Sequence, residues 1–322
     1  MRYSEKRREE TLYEQTAPAP YSLEYAIGNT PLIELTSLNE NPKVRILAKL
    51  EGNNPGGSVK DRPAYYMIAK AEQSGELTRD KIILEATSGN TGIALAMIGA
   101  ARKYRVKLAM PACVSLERRS ILEAYGAEVV LSPAHEATDG AIRLAHRILE
   151  ENPDDYYMPN QYANENNVLS HYETTGPEIY NQTDGDIDLF IAGMGTGGTL
   201  MGTGRFLKEK DDRIKIIGVE PRIGHKIQGL KNMKEAIVPK IYRAERLDEK
   251  ITIEDEDAFE TARLLAVREG LFVGMSGGAA IAAALRMAKS LESGTIVTIL
   301  PDRGDRYLST TLFRSVCACC PP

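Results

Sequence analysis

Lys60 closes the run Asn54-Pro55-Gly56-Gly57-Ser58-Val59-Lys60-Asp61-Arg62, so one amine follows a flexible turn and opens a helical stretch. A lysine held against apolar walls and near other positive charge loses part of its proton affinity. Its amine can then attack a carbonyl and hold an aldehyde as an imine. Beside Asp61 and Arg62 the same residue also reads as a solvated charge at a helix start, so its company has to decide. Three further glycine- and hydroxyl-rich loops follow in order: Thr87-Ser88-Gly89-Asn90-Thr91-Gly92, Gly195-Thr196-Gly197-Gly198-Thr199 and Gly274-Met275-Ser276-Gly277-Gly278. Each lies between an apolar run and a helical one. A strand that ends in small residues and opens a helix aims free N–H groups and a positive dipole end at whatever binds there. Three such loops can seat two anions and a ring.

Gly193-Met194-Gly195-Thr196-Gly197-Gly198 also fits the dinucleotide pattern G-x-G-x-x-G, and Glu220 ends the next apolar run, where a ribose-binding acid would sit. A dinucleotide leaves the lysine run and the Thr87 to Gly92 loop without a role, whereas one phosphate, one carboxylate and one imine use them all. A monophosphate is therefore expected at Gly195, Thr196, Gly197, Gly198 and Thr199, where backbone amides and two hydroxyls donate. Thr87, Ser88, Gly89, Asn90 and Thr91 form the expected clamp for a substrate α-carboxylate. A turn in which a hydroxyl caps the helix amides would look the same. Pyridoxal 5'-phosphate is the usual aldehyde of this description.

The order and spacing of the four motifs resemble the cysteine synthase branch of the pyridoxal-phosphate enzymes, from Gly28-Asn29-Thr30-Pro31-Leu32 to Tyr307-Leu308-Ser309-Thr310. The B-type members are nearest, through Glu117-Arg118-Arg119, Thr174-Thr175-Gly176-Pro177-Glu178-Ile179 and Asp302-Arg303-Gly304-Asp305-Arg306-Tyr307. The resemblance implies a tryptophan synthase β type of fold. It also implies that Lys60 carries the cofactor, Asn90 bonds its 3'-oxygen, Ser276 meets its ring nitrogen and Gln161 lies beside the substrate carboxylate. A neutral hydroxyl cannot keep that nitrogen protonated, so the ring is a weaker electron sink and elimination is favoured over transamination. Gly277 stands where the family often has a second serine.

The implied reaction is a β-replacement that makes L-cysteine from O-acetyl-L-serine and sulfide through an aminoacrylate, with Lys60 moving the Cα proton. Glu220-Pro221-Arg222 followed by Asn232-Met233 resembles members that use O-phospho-L-serine, in which Arg222 would lie by the substrate phosphate. His225-Lys226-Ile227-Gln228-Gly229 resembles the acetyl-using A-type, and acetylserine ranks first. Cystathionine β-synthase shares the cofactor motifs with homocysteine as nucleophile. A non-catalytic scaffold protein is the reading from another class. The family habit is a homodimer, and serine acetyltransferase partners the A-type members.

These residues need elements to position them. A chain of 322 residues exceeds what one core usually holds, so two lobes with a cleft are expected. Short Val/Ile/Leu runs alternate with amphipathic stretches, the rhythm of parallel sheets with crossover helices, and the expected class is α/β. Each lobe then carries a helix-flanked, mostly parallel twisted sheet. Buried strands are expected at 82–84, 106–110, 127–131, 188–192, 214–219 and 295–300, and helices at 92–104, 116–125, 258–269 and 279–290. The expected organisation is a mobile arm over 1–20, an N-terminal lobe over 48–165 with a moving subdomain at 106–150, a second lobe from 21–47 plus 166–311, and a Cys-rich tail at 312–322. The join is expected in the polar, irregular stretch 151–182.

A net charge of −5 with scattered Lys and Arg gives no argument for nucleic acid and points to a small ligand. No apolar run approaches the ~20 residues that span a bilayer, and the first residues carry no apolar signal segment, so a cytoplasmic protein is expected. Cys113 is alone in the body, and Cys317, Cys319 and Cys320 crowd the end, which is no disulfide framework. Cys-x-Cys-Cys has no partner pair to complete a zinc site. His135, His146, His171 and His225 show no metal spacing and read as surface or loop residues.

Overall fold

The computed structural model describes residues 22–87 and 89–313. The expected arm, Ser88 and the three tail cysteines lie outside the described residues. Among these, ten strands form two sheets. Six of them, β1 (Leu32–Glu34), β2 (Val44–Leu50), β7 (Leu189–Gly193), β8 (Lys215–Pro221), β9 (Glu249–Ile253) and β10 (Gly294–Leu300), make one sheet in the order β1-β2-β10-β7-β8-β9. Only β1 runs antiparallel to its neighbour. The other sheet is parallel throughout, in the order β5-β4-β3-β6, from β3 (Ile82–Ala86), β4 (Val106–Pro111), β5 (Glu128–Ser132) and β6 (Tyr156–Tyr157).

The helices in chain order are α1 (Asp61–Ser74), α2 (Asn90–Arg102), α3 (Leu116–Ala124), α4 (Ala137–Glu151), α5 (Glu165–Ser170), α6 (Gly176–Gln182), α7 (Gly198–Lys210), α8 (Asp255–Leu264) and α9 (Met275–Ser290). The central strands are continuous apolar runs because each face of the larger sheet meets helices. Ile46, Leu189, Ile191, Ile217 and Ile296 pack with α8 and α9 on one face, and Leu47, Phe190, Ile216, Val297 and Ile299 pack with α7 on the other. The smaller sheet behaves likewise. Ile83, Val106 and Leu108 pack on α1 and α2, and Leu84 and Ala109 on Ala141 and Ala145 of α4. Each such large side chain contributes roughly 1.5–3 kcal/mol by leaving water.

Three expectations change. β5 is an edge strand with only Ser132 buried, so the 127–131 run is not a buried strand. Residues 165–182 are not irregular: α5, a π-helical turn at His171–Thr175 and α6 form one continuous helical run. Its buried face is built largely from polar Asn167, Ser170, His171 and Thr175, so no apolar period marks it. α9 opens at Met275, before the expected Ala279, and thus takes Gly277 and Gly278 into its first turn.

Candidate active site

The helix starts of α2, α7 and α9 and the turn before α1 open onto one cavity of about 670 Å³ between the two sheets. Its wall brings together Lys60, Thr87, Asn90, Thr91, Gln161, Gly195, Thr196, Gly197, Thr199 and Ser276. Gly89 is the N-cap of α2 and Gly198 the first residue of α7. Two sequence candidates stand elsewhere. Arg222 is half-exposed at the surface, where its Nε pairs with Glu254 at 2.9 Å, and it does not line the cavity. Glu220 is buried against Lys250 at 3.2 Å, off the cavity wall, so the dinucleotide reading loses its ribose acid.

Lys60 is the N-cap of α1, and the turn that carries it is fastened to the segment just after β10. The Val59 N–H donates to the Pro301 carbonyl at 2.8 Å, and Ser58 bridges to Asp302. Burial depresses the Lys60 amine to about 8, against the opposing pull of Asp302 and Glu51. Lost water is the cause, as the expected apolar walls imply, and the expected neighbouring positive charge adds nothing to it.

The loop expected to clamp a carboxylate acts as a helix cap. Thr87 Oγ1 accepts the N–H groups of Gly89 at 3.0 Å and Gly92 at 3.4 Å. The Thr91 hydroxyl donates to Gln161 Oε1 at 2.6 Å, and Gln161 Nε2 donates to the Ala86 carbonyl at 3.1 Å. Behind them, Glu85 accepts the N–H groups of Ala86 at 3.1 Å and Gln161 at 3.3 Å, and burial pushes its carboxyl up to about 8.

At Gly195 and Gly198 the loop entering α7 admits backbone but no side chain. A Cβ on Gly195 would stand 2.6 Å from the Gly229 carbonyl oxygen, and one on Gly198 would stand 2.0 Å from Asn167 Oδ1. Thr196 Oγ1 takes the Gly198 N–H at 3.3 Å and Asn167 Nδ2 at 3.2 Å. Such a cradle of N–H groups and hydroxyls at a helix start fits a phosphate. His171 supports it from behind: Nε2 lies 3.3 Å from Thr199 Oγ1, and Nδ1 lies 2.9 Å from Thr175 Oγ1. It is fully buried rather than a surface residue, and burial with the positive charges of Arg62 and Lys60 holds it well below its usual range, hence neutral.

The sequence reading assigned no role to Asp302, Arg306, Tyr307 or Arg118. Asn90 Nδ2 donates to Asp302 Oδ2 at 2.6 Å, and Arg306 Nη1 donates to Asn90 Oδ1 at 2.6 Å. The Tyr307 hydroxyl donates to Asp302 at 2.7 Å and accepts from Arg118 Nη2 at 2.7 Å. Their motifs were visible as strings, but four charged residues out of six in Asp302 to Tyr307 look like a solvated loop until packing is known. Cys113, His225 and Lys226 also line the cavity. Among the described residues no group of three or more His, Cys, Asp or Glu side chains is arranged to hold a metal, and no helix is long and apolar enough to cross a membrane.

Comparison with known proteins gives the same picture. The model of the pyridoxal-phosphate dependent enzyme family matches residues 23–302. Cysteine synthase B of Salmonella typhimurium is 47% identical over 292 residues, which cover 91% of this chain and 96% of that protein. Cysteine synthase of Aquifex aeolicus is 48% identical over 89% of this chain and 90% of its own. The crystal structure of cysteine synthase from Entamoeba histolytica superimposes with a TM-score of 0.85 at 40% identity, covering 97% of this chain and 94% of that one.

Proposed function

The chain belongs to the pyridoxal-phosphate dependent enzyme family, and on that premise we propose that it is a cysteine synthase, making L-cysteine from O-acetyl-L-serine and sulfide by β-replacement. The observation that carries the reading is the convergence of Lys60, Asn90, Ser276 and the loop entering α7 on one cavity. When bound, pyridoxal 5'-phosphate supplies an aldehyde for an amine and a ring that draws electrons from the substrate Cα.

Gly195, Thr196, Gly197, Gly198 and Thr199 would hold the phosphate through backbone amides and hydroxyls, Ser276 would offer its hydroxyl to the ring nitrogen, and Asn90 its amide to the 3'-oxygen. Thr87, Ser88, Gly89 and Thr91, with Gln161, hold the substrate α-carboxylate. Lys60 takes the Cα proton as acetate leaves Cβ, and returns it once sulfide has added to that carbon. With its amine brought to about 8, it shuttles a proton near neutral pH more readily than an ordinary lysine.

Segment 106–150 is the part that closes over the cavity and keeps water out. Glu117 accepts from the Ser309 N–H at 2.7 Å and Asp139 from Lys231 at 3.1 Å, both across the cleft. Arg222 is engaged with Glu254, so acetylserine is the donor this geometry favours. The reading carries with it a cytoplasmic homodimer, with serine acetyltransferase as the partner class to test.

The test is cysteine formation by the purified holoenzyme from O-acetyl-L-serine and sulfide, with the cofactor absorbance followed as acetylserine is added. Lys60→Ala is expected to lose at least about a thousandfold in turnover. A wild-type protein that forms no cysteine and shows no spectral response to acetylserine overturns the reading.

A further inference from the structure

Beside Lys60 stands a buried carboxylate that the steps above leave without a task. Asp302 is almost fully buried, and its backbone is fastened on two sides. It bridges to Ser58, two residues before Lys60, and its carbonyl accepts the Gly274 N–H at 3.3 Å, two residues before Ser276. Its Oδ2 accepts the Asn90 amide at 2.6 Å and the Tyr307 hydroxyl at 2.7 Å, while Oδ1 has no hydrogen-bond partner among the described residues. A buried carboxylate oxygen without a donor is costly, and such a group persists where its charge acts on a neighbour.

Two cations face it. Arg118, carried by α3, lies 3.8 Å away and reaches the same Tyr307 hydroxyl. Lys60 is the other. The Lys60 amine is itself faced by Asp302, by Glu51 from the turn after β2 and by neutral His171, and the two carboxylates hold its proton against the effect of burial. The Asn90 amide has one orientation in this setting. A carboxylate can only accept, so Nδ2 must face Asp302, and a guanidinium can only donate, so Oδ1 must face Arg306.

Resting on the cysteine synthase reading, we propose that Asp302 is a positioning residue of this reaction: it fixes the Asn90 amide and sets how firmly Lys60 holds a proton, with Arg118 as the counter-charge that moderates it. α3 lies within the segment that closes the cavity, so closure and base strength are linked. With Arg118 against Tyr307 and Asp302, the carboxylate's field is partly neutralised and the amine gives up its proton more readily. With α3 withdrawn, the full charge of Asp302 keeps Lys60 protonated.

The test reads the amine directly. The full-length protein, freed of cofactor, is labelled with acetic anhydride across a pH series, and acetylation of Lys60 is quantified by peptide mass spectrometry. The wild-type midpoint is expected near 8. Asp302→Asn keeps the shape, removes the charge, and should lower the midpoint by about one unit, whereas Arg118→Gln should raise it. In the holoenzyme, the acid limb of the kcat/KM profile should move in the same direction for each variant.

Unchanged midpoints, or shifts of the opposite sign, overturn the proposal, and if Asp302→Asn does not fold, Arg118→Gln alone decides. The labelling does not depend on cysteine being made. A failure of the reaction with shifted midpoints therefore counts against the cysteine synthase reading and not against the role of Asp302.

Discussion

Glu85 shows how one side chain can govern pH behaviour from outside the wall it supports. Among the described residues it accepts backbone N–H groups and has no cation in contact, so burial lifts its carboxyl from the ordinary 4.5 to about 8. The folded state therefore holds a proton that the unfolded chain has released. Its stabilising effect is full below pH 4.5 and is lost as pH rises through 8. Glu85→Gln should remove that loss, on the order of a few kcal/mol, when urea unfolding is compared at pH 5 and pH 9. A variant whose stability falls as steeply as the wild type's would show that Glu85 is not the titrating group.

Arg222 gives the opposite kind of expectation. It pairs with Glu254 at the surface, so Arg222→Ala should leave acetylserine and phosphoserine turnover within about twofold of wild type in steady-state assays. Both residues lie next to motifs that were legible, yet neither environment was. A Glu before Thr87 and an Arg after Glu220-Pro221 carry the same chemistry buried or exposed, and only packing separates them.

At the scale of elements, the loops were legible because each is a breach in a pattern, with glycines and hydroxyls between an apolar run and a helix. The helical run 165–182 was not, because its inner face is satisfied by hydrogen bonds rather than by hydrocarbon. Asn167 is the clearest case: its Nδ2 holds both the Gln161 carbonyl at 2.8 Å and Thr196 Oγ1 at 3.2 Å. It thus ties the Gln161 side of the cavity to the loop entering α7. Gly198→Ala would drive a Cβ into Asn167 Oδ1 and disturb both loops at once. The expected result is about 1–3 kcal/mol of lost stability and at least about tenfold weaker cofactor retention, followed by the absorbance of the dialysed protein. Retention equal to wild type would mean that the cradle tolerates a side chain at that position.

Across the whole molecule, a buried network of alternating charge fixes the helix that Lys60 begins. Arg62 donates to both oxygens of Glu51 at 2.7 Å and to Glu178 at 2.6 and 2.8 Å, and Lys49 donates to Glu178 at 2.7 Å. Two cations and two carboxylates from the β2 strand and its following turn, α1 and α6 therefore balance one another. Glu178→Gln leaves two cations facing one carboxylate and should cost about 3 kcal/mol in urea unfolding at pH 7.

The sign of its pH dependence is opposite to that of Glu85. Arg62 and Lys49 outweigh burial and hold the Glu178 carboxyl below its ordinary 4.5, so its contribution is present above that value and lost as pH falls. Glu51 behaves the same way through Arg62. Asp61 joins Glu85 on the other side, since burial raises it from 3.8 to about 7. Wild-type stability should therefore peak near pH 5, with an acid limb set by the network and an alkaline limb set by the two unpaired carboxyls. Glu178→Gln should flatten the acid limb and Glu85→Gln the alkaline one. If the two variants moved the same limb, the assignment of these charges would be wrong.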